Sequence, residues 1–144
     1  MRTPPITLEQ INDGLEQIPY AGEMGIKPLL MGDELTLILP YKPELIGNPV
    51  LQALHGGAVG AFLETTAIVQ IWLMGEPKPL PKPISINIDY FRRGKPQDTY
   101  ARAKIGRQGS RVANVRVRAW QESSDDPISI LHGNFLTAAE DPKT

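Results

Sequence analysis

Apolar and polar residues alternate along several segments in the second half of the chain. Between positions 84 and 90, isoleucines and Tyr90 alternate with Ser85, Asn87 and Asp89, which is typical of a half-buried strand. Similar strand patterns, separated by turn-forming residues, recur before and after this segment. The predicted strands are Met24–Leu30, Glu34–Leu39, Ile84–Phe91, Thr99–Ile105, Val112–Trp120 and Ile128–Thr137.

A different periodicity predicts two helices. Thr7 and Gln10 stand in capping-box positions ahead of apolar residues at helical spacing, and Pro19 ends this short helix. A second segment, from His55 to Met74, is long enough for five turns and is apolar on nearly every side. A helix without a polar face is expected to be buried all round.

This order of elements predicts an α+β fold, because short connections favour antiparallel neighbours. We expect one antiparallel sheet of about six strands wrapped around one long buried central helix. The length of 144 residues fits a single domain. Its expected parts are an N-terminal helix over 1–19, a core over 20–138 and a tail over 139–144.

Composition narrows the setting and the chemistry. The chain has no cysteine, which excludes disulfides, a thiol nucleophile and a cysteine-based zinc site. The N-terminus lacks the apolar core of a signal peptide, and we identified no uninterrupted apolar run of about 20 residues. The sequence therefore predicts a cytoplasmic protein that is not attached to a membrane.

The charges are unevenly distributed although the net charge is −1. Nine lysines and arginines against one acid lie between Arg92 and Arg118, giving this segment a charge of +8. Such a cluster indicates an anionic partner, or else the solvated faces of strands. The region offers few aromatic residues on which bases could stack, so we expect no nucleic-acid partner.

Glu64 is the acidic residue of greatest interest, because it lies in the middle of the most apolar helix. A carboxylate in an apolar wall is a candidate general base or nucleophile. Alternatively, Glu64 reaches solvent at a helix edge or pairs with a base from elsewhere in the chain.

The His55-Gly56-Gly57 tripeptide begins the same helix. Two glycines let a ligand approach the backbone, and the N–H groups of a helix start favour a negatively charged oxygen. An oxyanion hole is built in this way, although a tight turn into a helix would need the same residues. Gly56 and Glu64 are eight residues apart, about 12 Å along the axis, so they would act on one substrate only from different subunits.

Other kinds of site have less support. The two histidines, His55 and His132, are far apart in sequence and show no helical metal-binding spacing, so we predict no metal; a site made of both histidines and Glu64 is the alternative. We also predict no separate cofactor. No serine stands in a G-x-S-x-G turn, and no phosphate-binding glycine motif occurs.

Three motifs in order resemble one known family. They are Asn48 followed by His55-Gly56-Gly57 and Leu63-Glu64, then the strand sequence IDYFRRG over 88–94, then RQGSRVA over 107–113. Together they resemble the hotdog-fold acyl-CoA thioesterases of the phenylacetate-degradation (PaaI-like) type, over about residues 20–138.

The resemblance implies roles for individual residues. Asn48 would orient water or the substrate carbonyl, and the Gly56 N–H would polarise that carbonyl beside His55 and Gly57. Glu64 would activate water or attack directly, in a position where many relatives have Asp. A Ser or Thr often begins the strand after the helix; here Pro83 stands there, and Ser85 is the candidate substitute.

The basic segment would then meet the substrate's coenzyme A. By resemblance, the candidates for its nucleotide end are Arg92, Arg93, Arg107 and Arg111. The acyl chain would lie near Phe62 or Trp72, unless these two belong to the core. The expected protein is an acyl-CoA hydrolase working as a homodimer or a dimer of dimers. The alternatives are a non-catalytic acyl-CoA-binding protein and, with a poorer histidine match, a dehydratase or hydratase.

Overall fold

The computed structural model describes residues 6–32, 34–74 and 79–137. Three α-helices and eight strands occur there, with a 3-10 turn over Pro43–Leu45. The helices are α1 (Leu8–Glu16), α2 (Pro19–Met24) and α3 (Gly56–Met74). The strands are β1 (Lys27–Met31), β2 (Glu34–Leu39), β3 (Ile46–Asn48), β4 (Ala53–Leu54), β5 (Lys82–Tyr90), β6 (Thr99–Gln108), β7 (Val112–Trp120) and β8 (Ser129–Leu136).

Six of these strands form one antiparallel sheet in the order β1-β2-β6-β7-β8-β5. The six predicted strands are therefore confirmed, with shifted ends. The remaining pair, β3 and β4, forms a small hairpin just before α3, which the sequence pattern did not predict.

Helix α3 packs across one face of the sheet, and the core lies between them. On β7, Ala113, Val115, Val117 and Ala119 alternate inward and are almost completely buried, while the residues between them face the other side. Leu37 on β2 and Phe62 on α3 join the same core. This arrangement confirms the predicted α+β hotdog fold, with a long central helix against an antiparallel sheet.

One stripe of α3 is left partly open. Gly57, Ala61, Glu64 and Ile68 point away from the sheet and retain exposure to solvent. The expectation that this helix is buried all round thus fails on this side of the single chain. By length and composition alone α3 could also cross a membrane, but half of the apolar stretch is buried inside the fold, as in the core helix of a globular protein.

The N-terminal segment begins as predicted and then differs. The Thr7–Gln10 capping box is present at the start of α1. Pro19, however, also begins a second helix, because proline suits the first turn, where its missing N–H is not needed. Met24 therefore belongs to α2 and not to a strand, and Gly25 ends α2 in the left-handed region at φ 78°.

Strand β5 lies at one edge of the sheet, where β8 is its one neighbour in the described part of the chain. The prediction of a half-buried strand is wrong for much of its length, since Ile84 is 57% and Tyr90 53% exposed. An edge strand lacks the second neighbour that would cover it. A bulge between Pro83 and Ser85 also shifts the alternation at its start.

The predicted tail over 139–144 lies outside the described residues.

Candidate functional site

A cavity of about 300 Å³ opens at the beginning of α3. Its walls come from Leu54, Gly56 and Val59 on one side, and from Tyr90 and Phe91 at the end of β5 on the other. Arg92 and Arg93 line it as well. An apolar pocket with a few polar groups is the usual form of a small-molecule site.

The backbone N–H groups at the start of α3 have different acceptors. The Gly57 N–H donates to Nδ1 of His55 at 2.9 Å, and the Ala58 and Val59 N–H groups donate to the His55 carbonyl oxygen at 3.0 and 3.1 Å. The Gly56 N–H has no acceptor in the described part of the chain. His55 is thus the cap of the helix. Gly56 offers the one first-turn N–H in the described chain that is free to donate a hydrogen bond to a ligand in the cavity.

These hydrogen bonds assign different roles to His55, Gly56 and Gly57, the three residues of the predicted oxyanion hole. Gly56 keeps its expected place beside the cavity. Gly57 does not serve as a donor to substrate, because its N–H is already bonded to the His55 ring. Glycine is still needed there, since a Cβ would lie 2.9 Å from that ring.

Tyr90 is a site residue that the sequence interpretation missed. Its hydroxyl donates to the Gly56 carbonyl oxygen at 2.8 Å, and its ring lies about 3.5 Å from where a Gly56 Cβ would stand. Gly60, one turn further on, leaves room for Tyr90 and Ile88. The inward position of Tyr90 in the alternation of β5 was visible in the sequence, but its contact with Gly56 required the fold.

Asn48 shapes the loop ahead of α3. Its Oδ1 accepts from the N–H groups of Val50 and Leu51, both at 3.1 Å, so this oxygen closes a turn. These bonds leave the Asn48 Nδ2 as the group that could meet water or the substrate carbonyl, so the predicted role of Asn48 stays a prediction. Arg93 holds the same loop by donating to the carbonyl oxygens of Leu51 and Gln52.

Glu64 is half-exposed on the open stripe of α3 and makes no hydrogen bond or ion pair with the described residues. It does not line the cavity, and two turns of helix separate it from Gly56, about 12 Å along the axis. One chain thus presents a carboxylate and an unbonded N–H, but not at one point.

Ser85 lies on the other side of the sheet. It pairs with Asn134, whose Nδ2 donates to the Ser85 hydroxyl at 3.2 Å, while the neighbouring Ile86 faces the helix. The prediction that Ser85 replaces the polar helper at the start of β5 is therefore wrong. The sheet itself separates this hydroxyl from the cavity.

The four candidate arginines do not form one cluster. Arg92 follows β5 near the cavity, where it pairs with Asp126 at 2.8 Å, and Arg93 clamps the loop. Arg107 and Arg111 lie at the β6–β7 hairpin, near the start of β5 instead. The length of β8 separates the two pairs by roughly 20 Å or more.

Phe62 is completely buried in the core and cannot contact an acyl chain there, and the Trp72 ring packs against Gly14 of α1. Within residues 6–32, 34–74 and 79–137, no three acidic or histidine side chains come close enough to hold a metal ion.

Comparison with known protein families decides the affiliation. The sequence profile of the thioesterase superfamily matches residues 51–128, more than half of the chain. The protein belongs to the thioesterase superfamily. The matched region contains α3, strands β5 to β7 and all the residues that line the cavity except Ser129. Thioester hydrolysis is therefore the general activity that its family supports.

Solved structures share the fold of this superfamily member along nearly its whole length. A protein from Chromobacterium violaceum is 30% identical, covers 92% of this chain and 93% of its own, and superposes with a TM-score of 0.73. One from Pseudomonas aeruginosa is 27% identical, with coverage of 91% and 98% and a TM-score of 0.79. A phenylacetic acid degradation-related protein from Ralstonia eutropha is 18% identical, with coverage of 89% and 99% and a TM-score of 0.76, and shows the same fold.

No curated protein sequence matches the chain.

Proposed function

We propose that the protein hydrolyses acyl-CoA thioesters to free coenzyme A and a carboxylic acid, at sites shared between two copies of the chain. One observation carries this proposal. The Gly56 N–H at the positive end of α3 has no acceptor among the described residues, and Gly56 lines a cavity of about 300 Å³. Because the protein belongs to the thioesterase superfamily, the carbonyl oxygen of a thioester substrate is the acceptor that we expect for this N–H.

In this reaction the thioester carbonyl oxygen accepts a hydrogen bond from the Gly56 N–H. Negative charge develops on that oxygen as the carbonyl carbon is attacked, and a backbone donor at a helix start stabilises it. Glu64 either takes a proton from the attacking water or attacks the carbon itself, forming an anhydride that water then cleaves. The C–S bond breaks, and coenzyme A leaves as the thiolate and takes up a proton.

A second copy is needed to supply the carboxylate. The edge strand β5 exposes unpaired backbone groups and apolar side chains, which is the surface on which sheets extend. Pairing of two β5 strands about a two-fold axis would bring the open stripes of the two α3 helices towards each other. Glu64 of each copy would then approach the cavity of the other. Two such dimers form the dimer of dimers included in this proposal.

The coenzyme A end of the substrate would leave the cavity past Arg92 and Arg93, which line it. Arginine suits phosphate because its planar group donates two parallel hydrogen bonds. No separate cofactor is required, since coenzyme A is part of the substrate.

The test is hydrolysis of a panel of acyl-CoAs by the wild-type protein and by Glu64→Gln, followed with a thiol reagent. Because the chain has no cysteine, the protein itself gives no background signal. We expect release of free thiol by the wild type and a loss of at least about a hundredfold in kcat for Glu64→Gln. Glu16→Gln, which removes an exposed acid on α1, is the matched control and should keep full activity.

Near-full activity of Glu64→Gln would refute the assignment of this residue. Absence of hydrolysis by the wild type, together with a melting temperature raised by acyl-CoA, would favour the non-catalytic binding protein instead. The position of Ser85 on the far side of the sheet is the observation that favours this second candidate.

A further inference from the structure

The face of the sheet opposite α3 carries four cations at its centre. Arg102 and Lys104 on β6 lie directly across from Arg118 and Arg116 on β7. Their neighbours along each strand, such as Ala103 and Val117, face the core, so the four charged side chains share the outer face. We call this group the outer cation square.

Such pairing is unfavourable in the absence of an anion. Like charges directly opposite each other in antiparallel strands repel, and both cross-strand pairs of the square are of this kind. Directly opposite side chains are about 5 Å apart, and successive ones on one face of a strand about 7 Å. Four positive charges therefore occupy a small rectangle on the sheet.

The described residues neutralise only part of this charge. Arg102 forms an ion pair with Glu34 at 2.7 Å, and Arg118 donates to the Ser124 carbonyl oxygen at 2.7 Å. Lys104 and Arg116 make no hydrogen bond or ion pair in the described part of the chain, and Arg116 also lies across from His132 of β8. Among the residues that the structure describes, one carboxylate thus pairs with a square of four cations.

A cavity of about 370 Å³ covers the square, with Trp120 and Ser124 in its wall. The Trp120 ring stacks on Tyr100 with the centroids 6.0 Å apart, and the Arg102 guanidinium lies 5.4 Å from the Trp120 ring. These contacts hold Arg102 in place before any ligand arrives. The volume is within the range of small-molecule sites, and the sheet separates this cavity from the one at α3.

We propose that the outer cation square binds a small anion that carries two phosphate groups. Each phosphate group contributes a charge of about −1.5 to −2, so two of them suit a square whose four cations outnumber the carboxylates beside it in the described part of the chain. Arginine and lysine together are the usual ligands of phosphate oxygens. The argument for this site does not rest on the thioester chemistry proposed above.

Titration of the full chain with inorganic pyrophosphate, followed by calorimetry and by melting temperature, tests this site. We expect saturable binding to the wild type and binding at least about tenfold weaker to Arg116→Gln, with a further loss when Lys104→Gln is added. Lys27→Gln removes an exposed cation on β1, outside the square and its cavity, and should bind pyrophosphate like the wild type. In the absence of an anion, Arg116→Gln removes the repulsion between Arg116 and Lys104, which lies opposite it, so we expect this variant to fold.

Equal pyrophosphate affinity of Arg116→Gln and Lys27→Gln would overturn the proposal, and so would failure of the wild type to bind. The diphosphate can come from a free ligand or from the nucleotide end of coenzyme A. Competition between coenzyme A and pyrophosphate that is lost in Arg116→Gln identifies the second source, and absence of competition identifies the first. Both results retain the site, and neither depends on hydrolysis.

Discussion

At the scale of single residues, the start of α3 depends on hydrogen bonds made by side chains that do not react. His55 accepts from the Gly57 N–H, and Tyr90 donates to the Gly56 carbonyl oxygen. Both bonds fix the peptide group that follows the Gly56 Cα. The Ala58 and Val59 N–H groups, which donate to the His55 carbonyl oxygen, fix the peptide group that precedes it and carries the Gly56 N–H. The unbonded Gly56 N–H is therefore held in one direction before any substrate binds, which is the condition under which a donor is most effective.

Tyr90→Phe tests this positioning role. The change removes the hydroxyl but keeps the ring, so we expect the free energy of unfolding to fall by about 1 kcal/mol and the melting temperature by about 2–4 °C. If Gly56 polarises the substrate, kcat should fall while KM changes little. Tyr20→Phe is the matched control, because the exposed Tyr20 hydroxyl makes no hydrogen bond within the described part of the chain.

A fall in melting temperature without any change in kcat would leave Tyr90 a purely structural role and contradict this prediction.

Some site residues could be predicted from the sequence and others could not, because only some of them are unusual among their neighbours along the chain. Glu64 and the glycines stand out locally, as a charge and as missing side chains in an apolar helix. Tyr90, Asn48 and Ser85 carry no such signal, because their roles depend on which face of the sheet or turn they occupy. The bulge after Pro83 and the turn closed by Asn48 are set by contacts across the fold.

At the scale of elements, the two edges of the sheet differ. Strand β1 has five residues and contains Pro28, which cannot donate a hydrogen bond to a further strand. Strand β5 is nine residues long, and its proline stands near its beginning. The β5 edge is thus the one suited to pairing with a second chain.

Single cysteines placed at each position from 85 to 89 test this pairing. In a two-fold antiparallel pair, one residue must lie opposite its own copy at a Cα separation of about 5 Å, which suits a disulfide. We expect one variant of the series to form a covalent dimer under mild oxidation, measured by non-reducing electrophoresis. The chain has no cysteine of its own to interfere.

Lys27→Cys on the β1 edge is the control and should remain a monomer in the same measurement. Cross-linking through β1, or none at all along β5, would argue against the shared site.

Elements with strong local patterns were predictable, and those set by their surroundings were not. The capping box fixed the start of α1, and the alternation along β7 matched its burial. Helix α2 was missed because Pro19 both ends one helix and begins the next. The open stripe of α3 could not be foreseen, since composition shows that a helix is apolar but not which of its sides the same chain covers.

At the scale of the whole molecule, the proposed shared site would make activity a property of the pair of chains. Glu64→Gln lacks the carboxylate, and Gly56→Pro lacks the N–H at the first position of α3, where proline is well tolerated. Each variant alone should be inactive. After the two are unfolded and refolded together in equal amounts, mixed dimers should contain one intact site, giving about a quarter of the wild-type rate.

Separately refolded samples that are combined afterwards, without exchange of chains, provide the control. Persistent inactivity of co-refolded mixed dimers would show that both groups are needed within one chain.

The position of β5 in the sheet also has a consequence for biosynthesis. Its one partner in the described fold is β8, and the whole of β6 and β7 lies between them in sequence. While the ribosome makes that stretch, β5 has no strand to join and the apolar α3 has only part of its cover. Pairing between such distant segments is slow to form, and exposed apolar surface favours aggregation in the meantime. The nascent chain is therefore a natural client for a chaperone until β8 has emerged.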